Sequence, residues 1–128
     1  MAKTVDWASV YAEAVKAGET AYAAAEPVPM VVGEAKSITS NEIDYAKPTY
    51  YVADGVCGFA WVDVFPARGG FVTWCKKHGH GRKGYPSGYT FWVSTMCQSY
   101  ERKMAYARAF AGVLADHGIR AYANGRLD

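Results

Sequence analysis

A basic, glycine-rich segment is the part of the chain best supplied with residues that could do chemistry. Residues 74–92 read WCKKHGHGRKGYPSGYTFW and contain four lysines and arginines, two histidines, four glycines and no carboxylate. Cations can bind phosphate, and the amides of glycines can approach an anion closely. The histidines and the cysteine could instead hold a metal ion or move protons. Three chemistries are therefore open for this segment: anion binding, metal binding and acid–base catalysis.

Phosphate binding is the chemistry that the segment favours. Its cations can form charge-assisted hydrogen bonds, and arginine can do so with two parallel bonds. The neighbouring aromatic rings could stack on a nucleobase. The sequence predicts a site for a small nucleotide at the tip of this segment, with these ligand-binding residues: Lys76, Lys77, His78, His80, Arg82, Lys83, Tyr85, Tyr89 and Trp92.

A second group of residues lies at the start of the last predicted helix. Gln98 and Ser99 stand at its N-terminus, where backbone amides and the helix dipole favour an anion. Arg102 and Lys103 follow in the first turn, a position where acids are more usual. We predict that this group completes the ligand site. An exposed basic helix face that includes Arg108 is the alternative.

Metal binding and catalysis are weaker interpretations. Cys75, His78 and His80 could be zinc ligands with Cys57 or Cys97, but they lack the two spaced pairs of structural zinc sites. No nucleophile motif, carboxylate pair or Walker loop is present. We therefore predict binding without catalysis, no cofactor and no metal. A small phosphodiesterase that uses His78 and His80, with Asp63 nearby, is one alternative. The other is that the histidines have no function and belong to a solvated glycine-rich tip.

The distribution of charge also points to an anionic partner. Residues 1–63 carry four lysines against nine acids, a balance of −5, whereas residues 64–128 carry ten lysines and arginines against three acids, a balance of +7. No acid lies between Asp63 and Glu101. The isoelectric point near 8.4 is low for a protein dedicated to duplex DNA. A small nucleotide is favoured, and nucleic acid is the alternative ligand.

Composition indicates a globular protein, since 51% of the residues are apolar and 15% are aromatic. No apolar run approaches the roughly 20 residues that span a bilayer. The first residues do not form a signal peptide, and three cysteines in no framework suggest reduced thiols. We expect a cytoplasmic protein that has no membrane partner.

The elements that must position these residues form an α+β domain. Periodic apolar residues predict helices over 6–25, capped by Thr4, and over 99–117, ended by Gly118. Strands are predicted at 30–35, 49–53, 56–65, 71–77, 89–94 and 119–123, with a loop at 36–48, a turn at Asp54-Gly55 and a polar tail at 124–128. The strands at 71–77 and 89–94 would form a hairpin with the basic tip, and 56–65 would be central and covered on both faces. We therefore predict one domain over 1–128, with an N-terminal helix in 1–27 and, in 28–128, a mostly antiparallel sheet and a closing helix, in the order α-β-β-β-β-α-β.

Several motifs in residues 50–77 and 83–128 are similar to a known group of proteins. CGFAWV, a glycine-containing KGY, QSY followed by RK and AYA, and a terminal RLD resemble those of small bacteriophage accessory proteins that lack an assigned activity. The resemblance carries no catalytic motif and implies an accessory protein that acts by binding inside a bacterial host. It suggests sequestration of a host nucleotide signal, as in counter-defence, or inhibition of a host protein through the basic surface.

The N-terminal helix lies outside this resemblance. It carries an apolar stripe with small residues, among them Ala14, Gly18 and Ala21, which allow helices to approach closely. We predict a homo-oligomer, most simply a dimer, with packing of this helix on its own sheet as the alternative.

Overall fold

Three helices and six strands make up the part of the chain that the structure describes. The computed structural model describes residues 5–27, 30–33, 49–52, 55–84, 87–94 and 99–127, with the backbone alone for 30–33 and 49–52. The elements are α1 (Trp7–Ala24), β1 (Met30–Gly33), β2 (Thr49–Val52), β3 (Gly58–Val64), α2 (Gly70–His78), β4 (Arg82–Lys83), β5 (Tyr89–Trp92), α3 (Tyr100–Asp116) and β6 (Ala121–Leu127).

A four-stranded antiparallel sheet with the spatial order β4-β5-β3-β6 forms one layer of the molecule. β1 and β2 form a separate hairpin. From β3 to β6 the elements run β-α-β-β-α-β, the split βαβ topology. The helices pack against the sheet, so the predicted α+β class is confirmed. No helix among the described residues is both long and apolar enough to cross a bilayer.

The predicted strand at 71–77 is wrong, because this segment forms helix α2. Its buried residues, Phe71, Val72 and Cys75, recur with helical spacing and enter the core. Their strand-forming side chains suggested an extended segment, but burial of one helical face overrides such local preference. The predicted hairpin is therefore replaced by the short pair β4–β5, and Lys76, Lys77 and His78 stand on a helix.

Helix α1 agrees with its prediction at both ends to within one residue, although Asp6 caps it. The Asp6 carboxylate accepts hydrogen bonds from the backbone amide and hydroxyl of Ser9, and Thr4 lies outside the described residues. The small-residue stripe packs on α3 of the same chain, where Gly18 sits against the ring of Tyr106. The stripe on which the dimer prediction rested is thus used within the chain, and the oligomeric state stays a prediction.

Strand β3 is central, as predicted, but the helices of the described ranges cover only one of its faces. Ala60, Val62 and Val64 point into the core beneath the helices. Phe59, Trp61 and Asp63 point to the other side and are half-buried. Apolar residues on both faces suggested two covering layers, whereas the helices lie on the face that carries the small aliphatic side chains. We call the two sides of the four-stranded sheet the covered face and the outer face.

The last two elements close the domain. Helix α3 begins one residue later than predicted, with Ser99 as its cap, and Gly118, at φ 78°, follows its end, as predicted. Strand β6 begins later than predicted and continues through the supposed polar tail, pairing with β3 from Ala121↔Val64 to Leu127↔Gly58. Asn124-Gly125 read as a turn, but pairing with the central strand keeps it extended. The prolongation places Asn124 and Arg126 on the outer face, opposite Trp61 and Phe59.

Candidate ligand-binding site

A cleft of about 470 Å³ lies where the end of α2 turns into β4. Three of the predicted cations, Lys76, Arg82 and Lys83, line it. Its volume falls within the range of small-ligand pockets. We call it the basic cleft and define it by its lining: Ala67, Lys76, Gly79, Gly81, Arg82, Lys83 and Tyr89.

Glycines shape the turn that forms one wall of this cleft. Gly79, at φ 76°, ends α2 in the left-handed conformation, and its amide donates to the carbonyl of Cys75. Gly81 has φ 73°, and a Cβ there would lie 2.6 Å from the ring of Tyr89 and 2.9 Å from that of Phe91. Both positions need glycine, since side chains disfavour positive φ and the space at Gly81 is filled. The glycines of the segment are thus required by the turn.

The cleft floor holds Lys76 in place. Its ammonium donates to the carbonyl oxygen of Ala67 at 3.2 Å and lies 5.9 Å from the ring centroid of Tyr89. The Tyr89 hydroxyl donates to the carbonyl oxygen of His80, and burial raises the pKa of that hydroxyl. An ammonium has three donors, so Lys76 can keep its contact with Ala67 while it binds an anion.

Part of the basic character has a structural reason. Lys76, Lys77 and His78 form the last turn of α2, where cations are stabilised by the negative end of the helix dipole. Lys77 is exposed and does not belong to the described lining of the cleft. The segment therefore contains more cations than the three that line the cleft.

The two histidines are engaged with aromatic rings. His80 stacks on Tyr11 with ring centroids 4.2 Å apart, and it also lies 5.4 Å from Trp74. His78 lies 4.6 Å from Trp74. Neither histidine lines the described part of the cleft. His80 joins the turn after α2 to α1, whereas His78 packs on its own helix, and their predicted assignment as ligands did not foresee either contact.

The described residues bring together no group of three or more His, Cys, Asp and Glu side chains that could hold a metal. Cys75 is fully buried in the core, and burial raises the pKa of its thiol to about 12. The thiol therefore packs in the core, whereas His78 is exposed and His80 is half-buried. Cys57 is exposed, and Cys97 lies outside the described residues.

The predicted residues at the start of α3 bond to the protein itself. The buried Ser99 hydroxyl accepts from the amide of Arg102 at 3.3 Å, and the Arg102 guanidinium donates to the carbonyl oxygen of Tyr22 at 3.0 Å. Lys103 is 5% exposed, and its ammonium donates to the carbonyl oxygen of Gly58 at 3.1 Å. These contacts give the cations a structural role at the helix start.

The two predicted groups lie near opposite ends of β3. Ser99 bridges to Cys57, next to Gly58, whereas Tyr89 of the cleft pairs with Val64. Six residues of strand separate Gly58 from Val64, about 20 Å. The structure thus brings Lys76, Arg82, Lys83 and Tyr89 together and leaves Ser99, Arg102 and Lys103 apart. Tyr85 and Gln98 lie outside the described residues.

The outer face carries an aromatic cluster that begins beside the cleft. The Arg82 guanidinium lies 5.7 Å from the ring centroid of Trp92, and the rings of Trp92 and Trp61 are 4.9 Å apart. Phe59 lies 6.5 Å from Trp92 and has the guanidinium of Arg126 at 5.4 Å. Trp92 was predicted as a ligand residue, but Phe59, Trp61 and Arg126 were missed. Alternation along β3 places Phe59 and Trp61 on one face, but the sequence predicted that this face would be covered.

Asp63 lies among these rings and is heavily hydrogen-bonded. Its carboxylate accepts from the Trp61 indole at 3.1 Å, the Thr90 hydroxyl at 2.8 Å and the Asn124 amide at 2.6 Å. The bond from the indole fixes the orientation of the Trp61 ring, and the other two hold the carboxylate in place. Asp63 is therefore a positioning residue of the outer face and is not paired with either histidine.

No family model, curated protein or solved structure matches this chain. Function must therefore be inferred from the geometry of the basic cleft and the outer face.

Proposed function

We propose that this protein binds a phosphate-bearing nucleotide and releases it unchanged. The observation that carries the proposal is the junction at Arg82, which lines the basic cleft and also lies over the ring of Trp92. A phosphate in the cleft would meet Lys76, Arg82 and Lys83, and its base would reach the exposed ring of Trp92. Stacking beside charge-assisted hydrogen bonds is the combination that nucleotides need.

Binding without turnover is favoured by the groups that surround the cleft. The titratable side chains of its described lining are two lysines, one arginine and Tyr89. The phenol of Tyr89 has a raised pKa because it is buried, so it is poorly suited to act as a base near neutral pH. In a phage accessory protein, binding of this kind would sequester a host nucleotide in the cytoplasm.

Calorimetry with nucleoside monophosphates and triphosphates tests this proposal, with the parent nucleosides as ligands that lack phosphate. We expect the phosphorylated ligands to bind and the nucleosides to bind far more weakly. Arg82→Ala and Lys83→Ala should each weaken binding by about 1.5–3 kcal/mol, the value of a hydrogen bond to a charged group. Lys77→Ala is the matched control, because it removes the same charge from the neighbouring helix without touching the cleft lining.

If all three variants lost the same affinity, the effect would come from the overall charge of the protein, and the cleft would be overturned as the site. The ligand should also be recovered intact after denaturation and chromatography. Turnover that disappears in His78→Ala or His80→Ala would instead establish the phosphodiesterase alternative.

A further inference from the structure

We propose that the outer face of the sheet binds single-stranded nucleic acid, whose path begins at the basic cleft and crosses the sheet towards β6. This inference deepens the proposed function and rests on it for the phosphate held beside β4. It is carried by the order of rings and cations across the sheet.

Aromatic rings that are exposed or half-buried stand on three of the four strands on the outer face. Trp92 stands on β5, Phe59 and Trp61 on β3, and Tyr122 on β6. Trp92 is 38% exposed and Tyr122 is 46% exposed, values that are high for such large apolar side chains. A contiguous apolar patch on a protein surface marks an interaction site more often than a single exposed ring does. Flat rings suit nucleobases, because every base presents a π-face for stacking.

An arginine lies near a ring at each of three positions. Arg82 is 5.7 Å from the centroid of Trp92, Arg126 is 5.4 Å from Phe59, and Arg120 is 5.9 Å from Tyr122. A base stacked on each ring would place its phosphate close to a guanidinium. The charge of the face is thus complementary to a sugar–phosphate chain, which distinguishes this occupant from an apolar protein segment.

The extent of the face exceeds one nucleotide. Three strand spacings separate β4 from β6, about 14 Å of lateral distance. Arg82 pairs with Thr90 at the level of Asp63, whereas Arg126 pairs with Phe59, four residues further along β3. A mononucleotide has one base and cannot occupy rings at both ends of this diagonal. Consecutive nucleotides of a single strand can, while a duplex keeps its base faces stacked and hidden.

Asp63 fits bases better than phosphates at the middle of the path. It is the one acid among the residues described on the outer face, and it would repel a phosphate placed over it. Its two oxygens accept three hydrogen bonds, which leaves capacity for one more donor. The amino group of a base could supply that donor, as carboxylates accept from cytosine in other recognition sites. The chain would therefore pass with its bases towards the sheet and its phosphates towards the arginines.

Fluorescence anisotropy with labelled single-stranded oligonucleotides of two, four, eight and twelve residues tests the proposal, with a duplex of the same sequence as competitor. Affinity should rise with length until the face is covered and then level off, and the duplex should compete poorly. Phe59→Leu removes a ring while keeping an apolar side chain, and it should weaken eight-residue binding by roughly 5- to 150-fold, the range for loss of one stacked base. Arg126→Gln should reduce the salt dependence of that binding by about one phosphate contact.

Arg108→Gln is the matched control for Arg126→Gln, because Arg108 is an exposed arginine of α3, on the helical side of the molecule. Circular dichroism and thermal unfolding of each variant verify that it is folded. Mononucleotide binding that needs Arg82 and Lys83, combined with oligonucleotide affinity that ignores length and Arg126→Gln, would overturn this inference and leave the proposed function standing. Oligonucleotide binding that needs Arg126 but neither Arg82 nor Lys83 would support the outer face and overturn the cleft. A concentration-dependent dimer, abolished by Trp92→Ala and present without nucleic acid, would identify a second copy as the occupant and overturn the proposal.

Discussion

The covered and outer faces of the sheet distribute their apolar residues in opposite ways. The covered face of β3 presents the small aliphatic side chains Ala60, Val62 and Val64, which are almost fully buried. The outer face presents Phe59 and Trp61, next to Trp92 and close to arginines. Along β3 the residues with the largest apolar area are thus the ones left partly in water, whereas Tyr89 and Phe91 of the neighbouring β5 are buried on the covered face. Hydrophobic burial alone would place the residues of β3 the other way round, and this difference is the reason for our proposal that the outer face binds a ligand while the covered face stabilises the fold.

The largest effect should come from removing packing on the covered side. Leu114 of α3 is fully buried, and Leu114→Ala would lose its transfer free energy and leave a cavity. We expect the free energy of unfolding to fall by about 2–5 kcal/mol, as measured by denaturant titration. Ligand affinity measured under conditions where the variant remains folded should be little changed. A large loss of affinity in fully folded Leu114→Ala would remove the distinction between the two faces.

The reciprocal effect should come from the outer face. Trp92→Ala removes an exposed stacking ring, and the affinity for single-stranded oligonucleotides should weaken by about 1–3 kcal/mol. Its effect on the free energy of unfolding should be smaller than that of Leu114→Ala, since Trp92 keeps much of its surface in water when folded. Titration of both variants with the same oligonucleotide and the same denaturant gives the comparison directly. Unchanged binding by Trp92→Ala would contradict a recognition role for this face.

A paired substitution of glycines tests the helical layer that makes the covered face. A Cβ at Gly18 of α1 would lie 2.8 Å from the ring of Tyr106, so Gly18→Ala forces α1 away from α3 and should destabilise the protein by about 1–3 kcal/mol. Gly112 of α3 has no atom within 4 Å of its built Cβ, and Gly112→Ala should stabilise by about 0.5–1 kcal/mol through helix propensity. Thermal unfolding should move in opposite directions for the two. Equal shifts would mean that α1 does not pack on α3 as described.

The last effect concerns alkaline pH and is absent near neutral pH. Burial raises the pKa of the Cys75 thiol from its ordinary value of 9.0 to about 12, and burial also raises the pKa of Tyr11, Tyr89 and Tyr106. Between pH 9 and about 12, the Cys75 thiol of the folded state keeps a proton that the unfolded state has released. The free energy of unfolding should therefore fall as pH rises from about 9 towards 12, with Cys75 contributing at most about 1.4 kcal/mol per pH unit.

Denaturant titrations at several alkaline pH values measure this slope. Cys75→Ala should flatten it, whereas Cys57→Ala, which changes an exposed thiol, should leave it unchanged. Identical slopes in the two variants would show that the buried thiol does not titrate differently in the folded state.

The sequence predicted those elements whose local pattern and tertiary environment agree. α1, α3 and β3 have long, regular apolar periods. The residues that flank α3, Ser99 and Gly118, favour a helix start and a helix end by their own chemistry. The prediction for α2 was wrong because Phe71, Val72 and Trp74 favour strands locally. Only the tertiary fold reveals which face of this helix is buried. β6 was cut short because Asn124-Gly125 resembles a turn, and its extended form depends on the distant partner strand.

The candidate site divides in the same way. Lys76, Arg82, Lys83 and Trp92 lie within one short segment, so their chemistry could be recognised from spacing. Phe59 and Arg126 meet only because the two ends of β3 and β6 pair, and Trp61 meets Trp92 across β3 and β5. His78 and Trp74 stand four residues apart on α2, so the mistaken strand hid their contact, whereas His80 meets Tyr11 only because α1 packs on α2. Contacts of the latter kind have no local signature.

The three hydrogen bonds of Asp63 have a consequence for how accurately the sheet assembles. Thr90 belongs to β5, Asn124 to β6 and Trp61 to β3 itself, so one carboxylate joins three adjacent strands by side chains. A slip of β5 or β6 by one residue would turn its side chains to the opposite face. It would bury an arginine or a tryptophan and also deprive Asp63 of a donor. A misaligned sheet is therefore destabilised both by the wrong side chains on each face and by the lost hydrogen bond. The alignment that gives Asp63 its three donors is the one that places Trp61 beside Trp92. The arrangement of rings on the outer face thus depends on Asp63, the only acid that stands on it among the described residues.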